Sequence, residues 1–157
     1  MPGDPEWLDE QQQAVWQSLL TVVTSLPTLL DRQLERDGGM SNFEYQVLAR
    51  LSVADGHAMR LSTLATQCNS TQPRLSKVMT RFEARGWTER RTDPSNSRFT
   101  IAQLTAVGLQ KLVETAPGHV AEVRRLVFDP LTPRQQQQLE ASLALVAETV
   151  RTELDAH

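Results

Sequence analysis

The sequence predicts a mainly α fold: a winged helix-turn-helix over residues 41–104, set between long helices at residues 9–36 and 106–155. Three observations predict it. Apolar residues recur at steps of three and four through most of the chain, the period of one helix face. That period breaks between residues 87 and 104, where two short runs rich in Thr, aromatic and β-branched residues flank Asp93-Pro94-Ser95-Asn96-Ser97. The flanked segment is all turn chemistry, so the two runs read as a hairpin. Aromatic content is only 5% within a hydrophobic content of 39%, with Ala, Leu and Val dominating, which suits packed helices.

Residues 9–36 place Val15, Leu19, Val22, Leu26, Leu29 and Leu30 on one face. The stripe is long enough to leave the compact unit, which favours a helix between subunits over a core helix. Pro27 should kink or locally break it, and Gly38-Gly39 ends it. The next helix starts at Ser41, where Ser41 and Glu44 form a capping box and Met40 can staple to Tyr45. Phe43, Val47, Leu48 and Leu51 supply its inner face, and it stops before Asp55-Gly56. Ser62 is expected to cap a short helix over 63–67, with Leu64 and Ala65 inward. A helix over about 72–85 follows. Leu75, Val78, Met79 and Phe82 make its buried face; Arg74, Lys77 and Arg81 make a second, outward stripe. Pro73 is tolerated in the first turn, and Gly86 closes the helix. After the hairpin, Thr105 caps a helix from about residue 106, with Leu109, Leu112, Val113, Val120, Val123 and Leu126 inward and a bend expected at Pro117-Gly118. Thr132, Pro133 and Gln135 open the last helix with a capping box, and Leu139, Leu143, Val146, Val150 and Leu154 form its stripe.

At 157 residues the chain fits one domain, or one with an oligomerisation element. The single cysteine, Cys68, excludes an intramolecular disulfide framework. The acidic N-terminus has no apolar core of a signal peptide, and no apolar run reaches membrane-spanning length; a cytoplasmic protein with no membrane partner is expected. Three scattered histidines have no metal-ligand spacing. No phosphate loop, nucleophile elbow or carboxylate pair stands at a workable spacing, so an enzyme is not expected, nor a cofactor.

Charge is the functional signal. Residues 70–98 hold seven Lys/Arg against three acids, in a chain whose formal net charge is −3. A basic patch confined to one unit of an acidic chain is the footprint of a double-stranded DNA partner. A helix that reads the major groove needs an apolar face to hold it and a basic face to read with. Gln72, Arg74, Ser76 and Lys77 are the candidates for base or phosphate contact, with Arg81 one turn on for phosphate. Thr71 and Pro73 flank them. Arg98, at the end of the loop with Asn96 and Ser97, is placed to enter a narrow minor groove.

These segments resemble the MarR family of transcriptional regulators, in its actinobacterial form. Residues 40–65, MSNFEYQVLARLSVADGHAMRLSTLA, resemble the second helix and the approach to the third. Residues 71–91, TQPRLSKVMTRFEARGWTERR, resemble the recognition helix and the "Le..G.v.R" strand. Residues 93–108, DPSNSRFTIAQLTAVG, resemble the wing and its exit, "DP.DRR….LT..G". APGHVAEVRRLVFDPLTP resembles the join between the fifth and sixth helices. The resemblance covers nearly the whole chain as one domain. It implies a homodimer, paired through a dimerisation domain of the helices at residues 9–36 and 106–155, on a pseudo-palindromic operator, with recognition helices about one DNA turn (~34 Å) apart. It also implies a repressor released by a small, often phenolic or aromatic, effector bound near the junction of the dimer helices and the DNA-binding unit. Trp16 and His57 are the candidate lining residues, with Trp7 able to fold over them. A winged-helix factor acting on DNA or protein without a small-molecule switch is the alternative.

The chain departs from the family pattern in places. Asn96 stands where the wing commonly has Asp, so Arg98 loses a charge-assisted partner. Phe99 replaces a small residue, and Pro73 is unusual in a recognition helix. Cys68 does not match the family's peroxide-sensing position and reads as a packing residue.

Overall fold

The computed structural model describes residues 7–156. Helix α1 spans Glu10–Gly38, α2 Asn42–Val53, α3 Leu61–Gln67, α4 Gln72–Ala84, α5 Ala106–Val123 and α6 Pro133–Asp155. Strands β1 (Ala58–Arg60), β2 (Thr88–Thr92) and β3 (Thr100–Leu104) form one antiparallel sheet in the order β1-β3-β2. The chain divides into two compact units, one running through His119 and the other from Val120.

The first unit is built on a core that the helical periods foretell. Val47, Leu48 and Leu51 of α2, Leu64 and Ala65 of α3, and Leu75, Val78, Met79 and Phe82 of α4 are all buried together. Leu34 and Met40 join them from the end of α1, and Trp87, Ala102, Leu104 and Leu112 from the sheet and α5. Helix ends are closed by local chemistry. Ser41 and Glu44 make the expected capping box on α2. Asp9 and Gln12 make an unforeseen one on α1. Gly39 ends α1 at φ 64°, with its N–H donating to the Glu35 and Leu34 carbonyls; this left-handed residue is the usual helix stop. Thr105 Oγ1 accepts from the Gly108 N–H at 3.0 Å and so opens α5 as expected. Gly108 is needed for space, since a Cβ there would run into the Trp87 carbonyl oxygen.

Four expectations are corrected. Neither Pro27 nor the Pro117-Gly118 pair breaks its helix: α1 and α5 run through them. Each proline frees the carbonyl four residues earlier, and those residues, Val23 and Val113, are exposed, so water can serve the freed oxygens. Ser62 is not a cap; α3 begins one residue before it, without a side-chain cap, and the Ser62 carbonyl accepts from Thr66 Oγ1. Val113 and Val120 are exposed rather than inward. Finally, residues 58–60 form a third strand. β1 pairs with β3 in the register Ala58–Gln103, Met59–Ala102 and Arg60–Ile101, on the edge opposite β2.

In the second unit the last turn of α5 widens into a π turn over Arg124–Phe128. The Gln136 side chain donates to the Phe128 and Leu131 carbonyls, closing the loop before α6. The Thr132–Gln135 capping box opens α6 as expected. Its stripe, Leu139, Leu143, Val146, Val150 and Leu154, is exposed.

Candidate nucleic-acid interface

Helix α4 carries the candidate reading face. Thr71 is its N-cap, with Oγ1 accepting from the Arg74 N–H. Pro73 lies in the first turn, where no intrahelical donor is lost. With Leu75, Val78, Met79 and Phe82 facing the core, Gln72, Pro73, Arg74 and Lys77 face outward and are exposed.

The basic residues of the segment have different fates. Arg74 lies with its guanidinium 4.1 Å from the centre of the Phe43 ring of α2. That stacking holds the side chain across the groove between α2 and α4 and leaves its hydrogen-bond donors without a protein partner among the described residues. Lys77, one turn on, is exposed. Arg81 is tied down: its Nε and Nη2 donate to Glu44 Oε1 at 3.0 and 2.7 Å. The other oxygen, Oε2, accepts the Ser41 N–H at 2.8 Å. Arg85 donates to the Gly39 carbonyl and lies over the Trp87 ring. Arg90 on β2 is the most heavily bound. It pairs with both carboxylate oxygens of Glu83 and reaches Ser76 Oγ and Thr80 Oγ1. The same contact holds the Glu83 carboxyl below its ordinary range and raises the Arg90 guanidinium. Ser76 is therefore half-buried and engaged by the sheet, rather than open like Gln72 and Lys77.

The hairpin loop is shaped by its own polar groups. The Asp93 N–H donates to the Phe99 carbonyl, closing the base of the loop. Asp93 Oδ1 accepts from the Ser95 N–H and hydroxyl at 2.8 and 2.7 Å, and Oδ2 from Arg60 Nε at 2.8 Å. Ser95 first, then Arg60, pull the Asp93 carboxyl down to about 2. Asn96 Oδ1 accepts from the Arg98 backbone N–H, an Asx-type turn. Asparagine thus serves the loop backbone, while the Arg98 side chain is exposed and has no partner among the described residues. Ser97 is exposed beside it. Between α4 and the hairpin lies a shallow polar recess lined by Leu61, Ser76, Arg90, Arg91, Thr92 and Thr100.

The candidate effector residues are placed differently. Trp16 lies on α1, in an open recess that it lines with Gln11, Gln12, Val15 and Leu19 of the same helix and Leu8 just before it. His57 lies in the 3₁₀ turn that follows α2, exposed, at φ 55°, with Nδ1 2.8 Å from the Ser52 carbonyl. Trp7 is 83% exposed and covers neither. Cys68 is buried in the core, and burial pushes its thiol up. Among the described residues no group of three His, Cys, Asp or Glu stands close enough to hold a metal ion, and no helix is long and apolar enough to cross a membrane.

Two residues central to this geometry carry no sequence signal of their role. Arg60 belongs to a strand too short to show alternation, and Glu44 displays only its cap. Their partners lie 33 and 37 residues away in sequence, beyond the reach of any local spacing rule.

The fold is shared closely. The structure of Sco3205, a MarR family transcriptional regulator from Streptomyces coelicolor in complex with DNA, is 41% identical to this chain, with a TM-score of 0.88 over 94% of this chain and 92% of that one. The chain belongs to the MarR family. The MarR family model itself matches residues 40–100, from the residue before the α2 cap to the start of β3. AbsC, a second MarR family regulator from Streptomyces coelicolor, is 35% identical at a TM-score of 0.88, covering 94% of this chain and 99% of that one. The transcriptional repressor MprA of Escherichia coli (strain K12) is 26% identical over 102 residues, 65% of this chain and 57% of that protein. The match thus spans little more than half of that repressor. The MarR family is one of transcriptional regulators, not enzymes, and this chain is a member with a mainly α, winged-helix architecture.

Proposed function

We propose that this MarR family member is a homodimeric repressor that binds a pseudo-palindromic operator through Gln72, Arg74, Lys77 and Arg98 and is released by a small effector. The observation that carries the DNA-binding part is the division of labour among the cations. Arg81, Arg85 and Arg90 hold the helix and hairpin in place, and Arg74, Lys77 and Arg98 are left facing outward from α4 and the wing. Such a set can neutralise phosphate and reach base edges. Arg81, whose side chain is 55% exposed despite its pair, adds charge near the same face. Thr71, Pro73, Ser76, Asn96 and Ser97 shape or border this surface.

Exposed apolar residues support the dimer. Val15, Trp16, Val22 and Val23 on α1 and Leu143, Val146, Val150 and Leu154 on α6 are too many for a solvated surface without a partner. The repressor reading is supported by the name of the MprA relative and by the DNA complex of the Sco3205 relative. The effector reading rests on the family resemblance, with Trp16 and His57 as its candidate contacts. The test is fluorescence anisotropy of the full chain with duplexes enriched from a random pool, against an unrelated duplex of equal length. Sequence preference that weakens on adding aromatic acids supports the whole proposal. Preference that no such compound alters leaves a constitutive DNA-binding factor. Equal, weak, salt-sensitive binding to both duplexes sinks the sequence-specific reading.

A further inference from the structure

We propose that Arg60 is the positioning residue of the wing, with Phe99 as its platform, and that the two together set where Arg98 meets DNA. This rests on the DNA-binding reading above and adds to it the residues that aim the wing.

The loop from Asp93 to Phe99 is gripped at both feet by one side chain. At the exit of β2, Asp93 Oδ2 accepts from Arg60 Nε at 2.8 Å, and the Asp93 side chain is only 8% exposed. At the approach to β3, the Phe99 ring lies 4.5 Å beneath the same guanidinium. Arg60 itself cannot drift, because it is the last residue of β1 and is paired with Ile101 of β3. Three chain segments therefore meet on one planar group. Arginine suits this task because it donates in its plane while its face stacks on a ring; a lysine ammonium keeps the charge but not the flat face.

The residue next to Phe99 is Arg98. Its N–H is fixed by Asn96 Oδ1 at 3.1 Å, so its backbone is held on one side by the turn and on the other by the stacked ring. The Arg60 charge is matched by Asp93, which makes Arg60 a holder of the wing rather than a free phosphate contact. It also explains how the wing keeps its shape with Asn96 in place of an acid: the carboxylate that organises the loop is Asp93. Phe99, in place of a small residue, gives the guanidinium its surface.

The test is a double-mutant cycle read by anisotropy, using duplexes enriched from a random pool by the wild-type chain, with A·T-rich or G·C-rich steps under the wing. Arg60→Lys and Phe99→Leu should each weaken binding by roughly three- to tenfold on the A·T-rich duplex and erase the preference for it. Phe99→Tyr, which keeps the ring, should retain wild-type affinity. In an Arg98→Ala background, Arg60→Lys should add less than about twofold, because it acts through Arg98. The salt slope of Arg60→Lys should fall no further than that of Arg98→Ala, since Arg60, paired with Asp93, neutralises no phosphate of its own. Additive losses in the Arg98→Ala background, or unchanged flank preference in both Arg60→Lys and Phe99→Leu, overturn this inference alone. A wild-type chain that enriches no sequence overturns the DNA-binding reading and this inference with it. Thermal melts separate a lost wing from a lost fold, and Phe99→Leu carries the test if Arg60→Lys does not fold.

Discussion

Replacing Glu44 tests how α4 is anchored. Its side chain is 8% exposed and its two oxygens do separate jobs: Oε2 caps Ser41 at 2.8 Å and Oε1 takes two donors from Arg81. Glu44→Ala removes both. A hydrogen bond from a backbone N–H to a charged acceptor contributes about 1.5 kcal/mol. The Arg81 pair is discounted to about 0.5 kcal/mol, because the Arg81 side chain is 55% exposed and water screens it. The expected loss is about 2 kcal/mol, or roughly 4–8 °C in Tm for a chain of this size. Glu44→Gln keeps an acceptor for Ser41 but turns its NH2, a donor, toward Arg81; it loses the charge and the Arg81 pair and should cost no more than about 1 kcal/mol. Urea denaturation followed by circular dichroism, at one fixed protomer concentration because the proposed dimer would make the midpoint concentration-dependent, reads both variants. A Glu44→Ala protein within about 0.5 kcal/mol of wild type refutes the anchoring. Equal losses in the two variants refute the division of labour between the oxygens.

Gly108→Ala should cost about 3 kcal/mol or fail to fold, because a Cβ there meets the Trp87 carbonyl oxygen and Leu104 Cδ1; a chemical melt reads it, and a neutral result means the α5 start can shift. Arg74→Ala and Lys77→Ala should each weaken operator binding and lower the salt slope by about one for each phosphate no longer neutralised, with little change in Tm; unchanged slopes in both mean the reading face is elsewhere. The Asp93 carboxyl sits at about 2 in the folded chain, below its unfolded value near 3.9. Its contribution is therefore fully present above about pH 4 and is lost as pH falls toward 2; carboxyl chemical shifts followed by NMR should titrate in that window, and a midpoint near 4 contradicts the Ser95 and Arg60 contacts. Deleting residues 133–155 should turn a dimer into a monomer by light scattering, and a truncated chain that still dimerises removes α6 from the interface.

What is legible in the sequence is local. Ser41 with Glu44, and Thr132 with Gln135, announce helix starts because a cap and its partner lie three residues apart. The buried face of α4 is visible because its period is. What is hidden depends on distance in the chain. β1 is three residues long, too short for alternation to show, and its partner β3 comes some forty residues later. The basic surplus of residues 70–98 is visible as a count, but not how much of it is consumed internally. Glu83 binds Arg90, and Glu44, outside the segment, binds Arg81. The exposed positions of Val113 and Val120 cannot be told from buried ones, since a stripe that awaits a partner and a stripe in a core have the same period.

The Arg90 side chain has one further consequence. By bridging β2 to Ser76, Thr80 and Glu83 of α4, it fixes the gap between the outward face of α4 and the hairpin, the two elements proposed above as probes of the major and minor grooves. The two behave as the jaws of a caliper with a locked opening. On the proposed reading, new target sequences are acquired by changing the tips, such as Gln72, Pro73 and Lys77, while the spacing of contacted bases stays constant. A paralogue that reads a longer or shorter half-site should first have changed Arg90 or Glu83, before any residue that touches a base.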